Sequence, residues 1–193
     1  MGLTLSKSDA LIVVDVQRDF CPGGSLAVPA GDRVVPVLNR YIGRFSAGSL
    51  PVFATRDWHP ENHMSFEAYG GPWPPHCVKG TDGAKFHPEL KLHESTVIVS
   101  KATEPGEEAY SGFQGTELES MLRKLKIKRV FVGGLATDYC VKNTVLDAIK
   151  AGFSTFLLTD ASMGVDVNAG DCRRAVDQMI SAGAIGITFS DVS

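Results

Sequence analysis

Two groups of residues in this 193-residue chain have types and spacings that could do chemistry. The first contains a cysteine. Val130-Phe131-Val132 runs into Gly133-Gly134-Leu135-Ala136-Thr137-Asp138-Tyr139-Cys140 and then into a helical pattern. Cys140 thus falls where a buried strand turns into a helix N-terminus, a place that stabilises a thiolate, the form in which cysteine attacks carbonyls. Asp15 and Lys101 close two other apolar runs. Brought to one sheet edge, Asp15 could accept the thiol proton, while Lys101 holds carboxylate and thiolate together and lowers the thiol pKa. Read singly, the same three residues are a turn-capping aspartate, a surface cation and a small buried hydrophobe.

The second group is Asp57-Trp58-His59, followed by His63 and by Trp73-Pro74-Pro75-His76. On an extended segment side chains alternate, so Asp57 and His59 point to one side. One aspartate with two or three histidines can hold Zn²⁺, Mn²⁺ or Fe²⁺. The alternative is a polar loop whose histidines meet solvent or backbone. Phe20 follows Asp15 and Trp73 precedes His76, so two flat aromatics could sandwich a flat ring, or simply pack in the core. His87 and His93 read as structural or exposed, and Cys21, Cys77 and Cys172 as bystanders.

Positioning such residues requires a sheet. Ala10–Val14, Pro51–Thr55, Thr96–Val99, Lys128–Gly133, Thr155–Leu158 and Ile185–Thr188 are short apolar runs of the kind buried on both faces of a parallel sheet. Helical patterns lie between them. Asp32 is placed to cap a helix over Val34–Ala47. Thr116 to Glu119 has capping-box spacing ahead of an apolar face of Leu118, Met121, Leu122 and Leu125. Val141, Val145, Leu146 and Ile149 form a face after Cys140. Asn168 is placed to cap a last helix with Ala175, Val176, Met179 and Ile180 on its inner side. This alternation predicts an α/β fold: one doubly wound domain over residues 1–193, a mostly parallel six-stranded sheet with helices on both faces in three layers. Residues 57–95 are long, weakly periodic and rich in Pro, Gly and His, and their aromatics argue for an ordered, functional loop.

Bulk properties narrow the class. A formal charge of −3 from 19 basic and 22 acidic residues offers no basic face for nucleic acid. Four scattered cysteines without a CxxC argue against a disulfide framework. Met1 to Asp9 is polar, without an apolar signal core, and no apolar run approaches the roughly 18 residues that span a bilayer. The expectation is a cytoplasmic protein with reduced thiols and a small-molecule ligand, without nucleic-acid or membrane partners; a homo-oligomer is compatible with this reading.

Taken together, Asp15-Val16-Gln17-Arg18-Asp19-Phe20-Cys21, Arg56-Asp57-Trp58-His59-Pro60, Trp73-Pro74-Pro75-His76-Cys77, Lys101, Tyr110-Ser111-Gly112-Phe113 and Gly134-Leu135-Ala136-Thr137-Asp138-Tyr139-Cys140-Val141 resemble the nicotinamidase/pyrazinamidase family of isochorismatase-like hydrolases. The resemblance runs in order along nearly the whole chain. It implies a catalytic triad of Asp15, Lys101 and Cys140, and a divalent metal, zinc or else Fe²⁺ or Mn²⁺, on Asp57, His59 and His76. His63, Ser65 or water would complete the metal shell. It further implies an oxyanion hole from the N–H groups of Ala136 and Cys140 beside a cis peptide near Leu135-Ala136, and a ring pocket of Phe20, Trp73 and Tyr110. The implied reaction is hydrolysis of nicotinamide to nicotinate and ammonia through a cysteine thioester, in NAD salvage, with pyrazinamide as a further substrate. Other readings fit less well. An N-carbamoyl amidohydrolase needs no metal to hold a ring, and an isochorismatase needs no such cysteine. A flavodoxin-like nucleotide binder lacks a phosphate loop after any strand. An inactive scaffold does not require Asp15, Lys101 and Cys140 together.

Overall fold

The computed structural model describes residues 2–193. Its centre is a parallel sheet of six strands: β1 (Asp9–Val14), β2 (Val52–Asp57), β3 (Val97–Lys101), β4 (Arg129–Leu135), β5 (Ser154–Met163) and β6 (Ile185–Ile187). The spatial order is β3-β2-β1-β4-β5-β6. The chain moves outward from β1 through β2 to β3, then returns to the other side of β1 for β4. The order therefore reverses between β1 and β4, the switch point at which open α/β sheets leave a crevice at their carboxyl ends.

Every side chain of β1 is buried, and alternate residues serve opposite faces. Leu11 and Val13 join the core beneath α1 (Val34–Ala47). Ala10, Ile12 and Val14 join a second core with α2 (Leu118–Lys124), α3 (Lys142–Lys150) and α4 (Asp171–Ser181). Two cores on two faces make the three-layer fold expected from the alternating pattern. Among the described residues no helix is long and apolar enough to cross a membrane.

Several local expectations are corrected. Asp32 lies inside a 3₁₀ turn, Gly31–Arg33, that runs directly into α1, so its side chain caps nothing. The Thr116 hydroxyl donates to the Gly112 carbonyl and accepts the Leu118 N–H, while Glu119 pairs with Arg123; no capping box forms. The cap of α4 comes from Asp166, which accepts the Cys172 N–H at 2.9 Å, while Asn168 donates to Asp171. A carboxylate is the stronger acceptor at a helix start. Leu125 is 50 % and Ile180 43 % exposed, because α2 ends before Leu125 and α4 turns only Ala175 and Met179 fully inward. β5 runs five residues beyond Leu158, because past a register shift Ser162 and Met163 pair again with Gly134 and Leu135 of β4, while polar Asp160 accepts the Tyr41 hydroxyl at 3.0 Å. Cys140 does not sit at the first turn of an α-helix. It lies in a wide π-helical turn, Thr137–Val141, whose Val141 N–H returns to the Ala136 carbonyl, and α3 begins only at Lys142.

Candidate active site

Four strand ends converge at the switch point. The last ladder bond of β1 to β2 is Asp15 N–H to the Thr55 carbonyl, at 3.2 Å. Asp15 then takes a left-handed conformation (φ 50°) that turns the chain out of the sheet. Lys101 ends β3 opposite Asp57 at the end of β2. Beyond β4 and the cis Leu135-Ala136 peptide, the π turn delivers Cys140.

Lys101 is the hub. It is 1 % exposed, and its Nζ lies 2.9 Å from Asp15 Oδ2, 3.5 Å from Cys140 Sγ and 3.0 Å from the Ala109 carbonyl, and contacts Asp57 Oδ1. The sulfur of Cys140 and one oxygen each of Asp15 and Asp57 lie within 4.8 Å of one another. Thr55 donates to Asp15 Oδ1 at 2.6 Å. Asp15 Oδ2, although close to Nζ, has no aligned donor, which leaves it able to take a proton.

Burial alone would lower Lys101, but the carboxylates of Asp15 and Asp57 hold its pKa well above the ordinary lysine value. Burial raises the Asp15 carboxyl against the opposing pull of Lys101. Asp57 is driven down, because Lys101 and His59 outweigh its burial. The expectation of a lowered thiol pKa at Cys140 is corrected. Burial pushes the thiol well up, and the negative charges of Asp15 and Asp57 add to burial against Lys101. The resting cysteine is a thiol beside a base.

Beside this cluster, ligand atoms of Asp57, His59 and His76 lie within 4.8 Å of one another, all three residues buried. The set suits a divalent metal. His59 Nδ1 lies 3.2 Å from the Ala102 carbonyl and His76 Nδ1 2.8 Å from the Pro74 carbonyl. A carbonyl only accepts, so Nδ1 of each carries the proton and Nε2 keeps its lone pair. His59 Nε2 is buried without a partner, 3.7 Å from Asp57 Oδ2. Burial lowers His76, which favours the neutral ligand form. The His63 ring lies 4.1 Å from that of His59, tilted by 33°, but stands outside the set. Its Nδ1 meets the Ser65 hydroxyl at 2.7 Å and its Nε2 the Glu107 carbonyl at 3.0 Å, so both nitrogens are engaged.

A narrow, mostly apolar cavity opens onto both clusters. Phe20, Trp73, Tyr110, Ala136 and Cys140 line it together with Asp57 and His76. Trp73 Nε1 donates to the Tyr110 hydroxyl at 3.0 Å, fixing two walls against each other. The Ala136 N–H has no acceptor among the described residues.

Sequence reasoning missed several participants. Leu26, Val28, Tyr139 and Val165 complete the cavity. Phe66 is fully buried and meets the rings of His59, His63 and His76 at 5.5 to 5.7 Å. Gln17 and Thr55 are buried polar residues at strand ends. The signal for these two is a polar side chain within or just beyond an apolar strand, and Phe66 is one of the loop aromatics that argue for order; Leu26, Val28, Tyr139 and Val165 carry none.

Residues 9–190 match the sequence pattern of the isochorismatase domain. The nicotinamidase of Escherichia coli K12 is 40 % identical over 203 residues, spanning 94 % of this chain and 95 % of that protein. A Pyrococcus horikoshii pyrazinamidase solved in complex with zinc is 53 % identical, with a TM-score of 0.91 over 94 % of this chain and 99 % of that one. The L. infantum protein PnC1, solved in complex with nicotinate, is 35 % identical, with a TM-score of 0.91 over 100 % and 99 %.

Proposed function

The chain belongs to the isochorismatase family, and from that membership and the site's geometry we propose that it hydrolyses nicotinamide to nicotinate and ammonia, and pyrazinamide in the same pocket. One observation carries the reading. A buried aspartate, lysine and cysteine meet at an aromatic-walled cavity that Asp57 and His76 of the Asp-His-His set also line.

Asp57, His59 and His76 would hold the divalent cation, zinc being supported by the donor set and by the zinc-bound relative. When bound, it supplies a Lewis acid toward the ring nitrogen, which orients the substrate. Phe20, Trp73 and Tyr110 grip the ring and aim its amide at Cys140. Asp15 takes the thiol proton as sulfur attacks the amide carbon. Lys101 stays charged and offsets the negative charge shared by Asp15 and the sulfur. The N–H groups of Ala136 and Cys140 receive the oxyanion; losing one such donor costs about 3 kcal/mol. Asp15 passes its proton to the departing nitrogen, ammonia leaves and a thioester remains. Asp15 then deprotonates a water that attacks the thioester, the sulfur leaves and regains a proton, and nicotinate is released.

This reading treats residues 1–193 as one catalytic domain. Free thiols at Cys21, Cys77, Cys140 and Cys172 support a reducing, cytoplasmic setting. The test is ammonia release from nicotinamide by the purified protein. Turnover is expected to fall with a chelator, return with zinc and vanish in Cys140→Ala, whereas His59→Ala should raise KM steeply. A metal-replete wild type that releases no ammonia would sink the reading.

A further inference from the structure

Gln17 plays no part in the chemistry above, yet it is fully buried at the heart of the site. Its Nε2 donates to the Asp57 carbonyl at 2.8 Å and to the Ala84 carbonyl at 2.9 Å, and its Oε1 accepts the Asp57 N–H at 2.8 Å. Two carbonyls can only accept and an amide N–H can only donate, so one orientation of the carboxamide satisfies all three. The reason lies in the backbone. Once the left-handed Asp15 takes the chain out of the sheet, Asp57 has lost β1 as its ladder neighbour. The Gln17 side chain stands in for the missing strand and binds both main-chain groups of Asp57.

The same side chain ties down the segment returning from His76. Gln17 bridges Phe86 through its backbone, and Arg18 N–H meets the Lys85 carbonyl at 2.9 Å. That segment in turn pairs with His59, whose N–H reaches the Cys77 carbonyl at 3.1 Å. Three stretches of chain, carrying Asp15, the pair Asp57 and His59, and His76, are thus joined through one carboxamide.

We propose that Gln17 is the positioning residue of the metal site: its side-chain amide sets the Asp57 backbone, and through it the carboxylate, in register with His59 and His76. The inference rests on Asp57, His59 and His76 holding a cation, but not on which amide is hydrolysed. Partners that orient a metal ligand typically contribute about 10- to 100-fold in affinity. Gln17→Met keeps the volume and leaves the three backbone groups without partners. Gln17→Glu sets carboxylate oxygens against two carbonyls.

The experiment is zinc affinity of the metal-free protein, by competition with a chromophoric chelator and without substrate. Both variants are expected to bind zinc about 10- to 100-fold more weakly, with unchanged far-UV circular dichroism. Val130→Ala, a core truncation in β4, serves as the comparison: it should lower the melting temperature but leave zinc affinity alone. Affinity within twofold of wild type in the folded Gln17 variants would overturn the proposal. So would an equal loss in Val130→Ala. If neither Gln17 variant folds, the unmutated protein decides by NMR. Slow exchange of both Gln17 carboxamide protons and a shift on adding zinc support the role, whereas fast exchange or no shift refutes it. Because no substrate enters these measurements, a failed ammonia assay and a failed Gln17 role remain distinguishable.

Discussion

Asp15 plays two opposed parts toward Cys140. In the proposed mechanism it is the base within reach of the thiol, and its negative charge helps keep that thiol protonated. Asp15→Asn separates the two. Turnover is expected to fall by roughly 10²- to 10⁴-fold for want of a general acid and base. The thiol, relieved of one carboxylate and still facing Lys101, should nevertheless alkylate at lower pH than in the wild type. Iodoacetamide labelling against pH reads this directly, and an unchanged or higher apparent pKa would refute the assignment. Residue type and strand-end position nominated Asp15, Lys101 and Cys140, and the spacing of acid and imidazole nominated Asp57, His59, His63 and His76, of which His63 stands outside the cluster. What stayed hidden is that Lys101 spans Asp15 and Asp57 together, so the sulfur's surroundings carry two carboxylates. Thiol pKa would not have singled out the proposed nucleophile either: burial also pushes Cys21 up to about 11 and Cys77 well above the ordinary range.

The elements around the site are held by side chains binding backbone. In the π turn, buried Asp138 accepts the N–H groups of Val165 at 3.0 Å and Asp166 at 2.9 Å. This draws the β5–α4 connection over the cavity, where Val165 forms a wall. Asp138→Ala frees that connection without touching the triad. KM for nicotinamide is expected to rise several-fold with kcat little changed, measured in steady-state ammonia assays; a loss confined to kcat would argue against the wall. Such clamps are the least legible feature in the sequence. Asp32, Thr116 and Asn168 all have the types and spacings of caps, yet a 3₁₀ entry, a backward hydroxyl bond and a competing carboxylate decide otherwise. Local hydrogen bonding has several near-equal solutions, and tertiary contacts choose among them. The 57–95 segment was legible as ordered from its aromatics. The seat of Phe66 among three histidines depends on how the loop folds back.

At the level of the whole molecule, alternating apolar runs and amphipathic stretches were sufficient for the α/β class and the strand count, because each strand of a sandwiched sheet must be apolar on both faces. The strand order, and hence the switch point that gathers the site, is set by packing between distant segments. Since the candidate metal ligands come from the end of β2 and the long loop after it, cation binding should stabilise the folded chain as a unit. Zinc at about 100 times its dissociation constant contributes roughly 2.7 kcal/mol, about 5–10 °C in melting temperature for a chain of this size. Calorimetry with zinc and with chelator checks this, and coincident melts would contradict it. The wall formed by Trp73 has an optical consequence. The chain has two tryptophans; Trp58 is covered by the Arg56 guanidinium at 3.7 Å, whereas Trp73 lines the cavity. An electron-poor pyridine or pyrazine seated against that indole quenches its emission while Trp58 supplies a steady background. Ligand occupancy in Cys140→Ala, where nothing is turned over, is thereby readable from intrinsic fluorescence without a label.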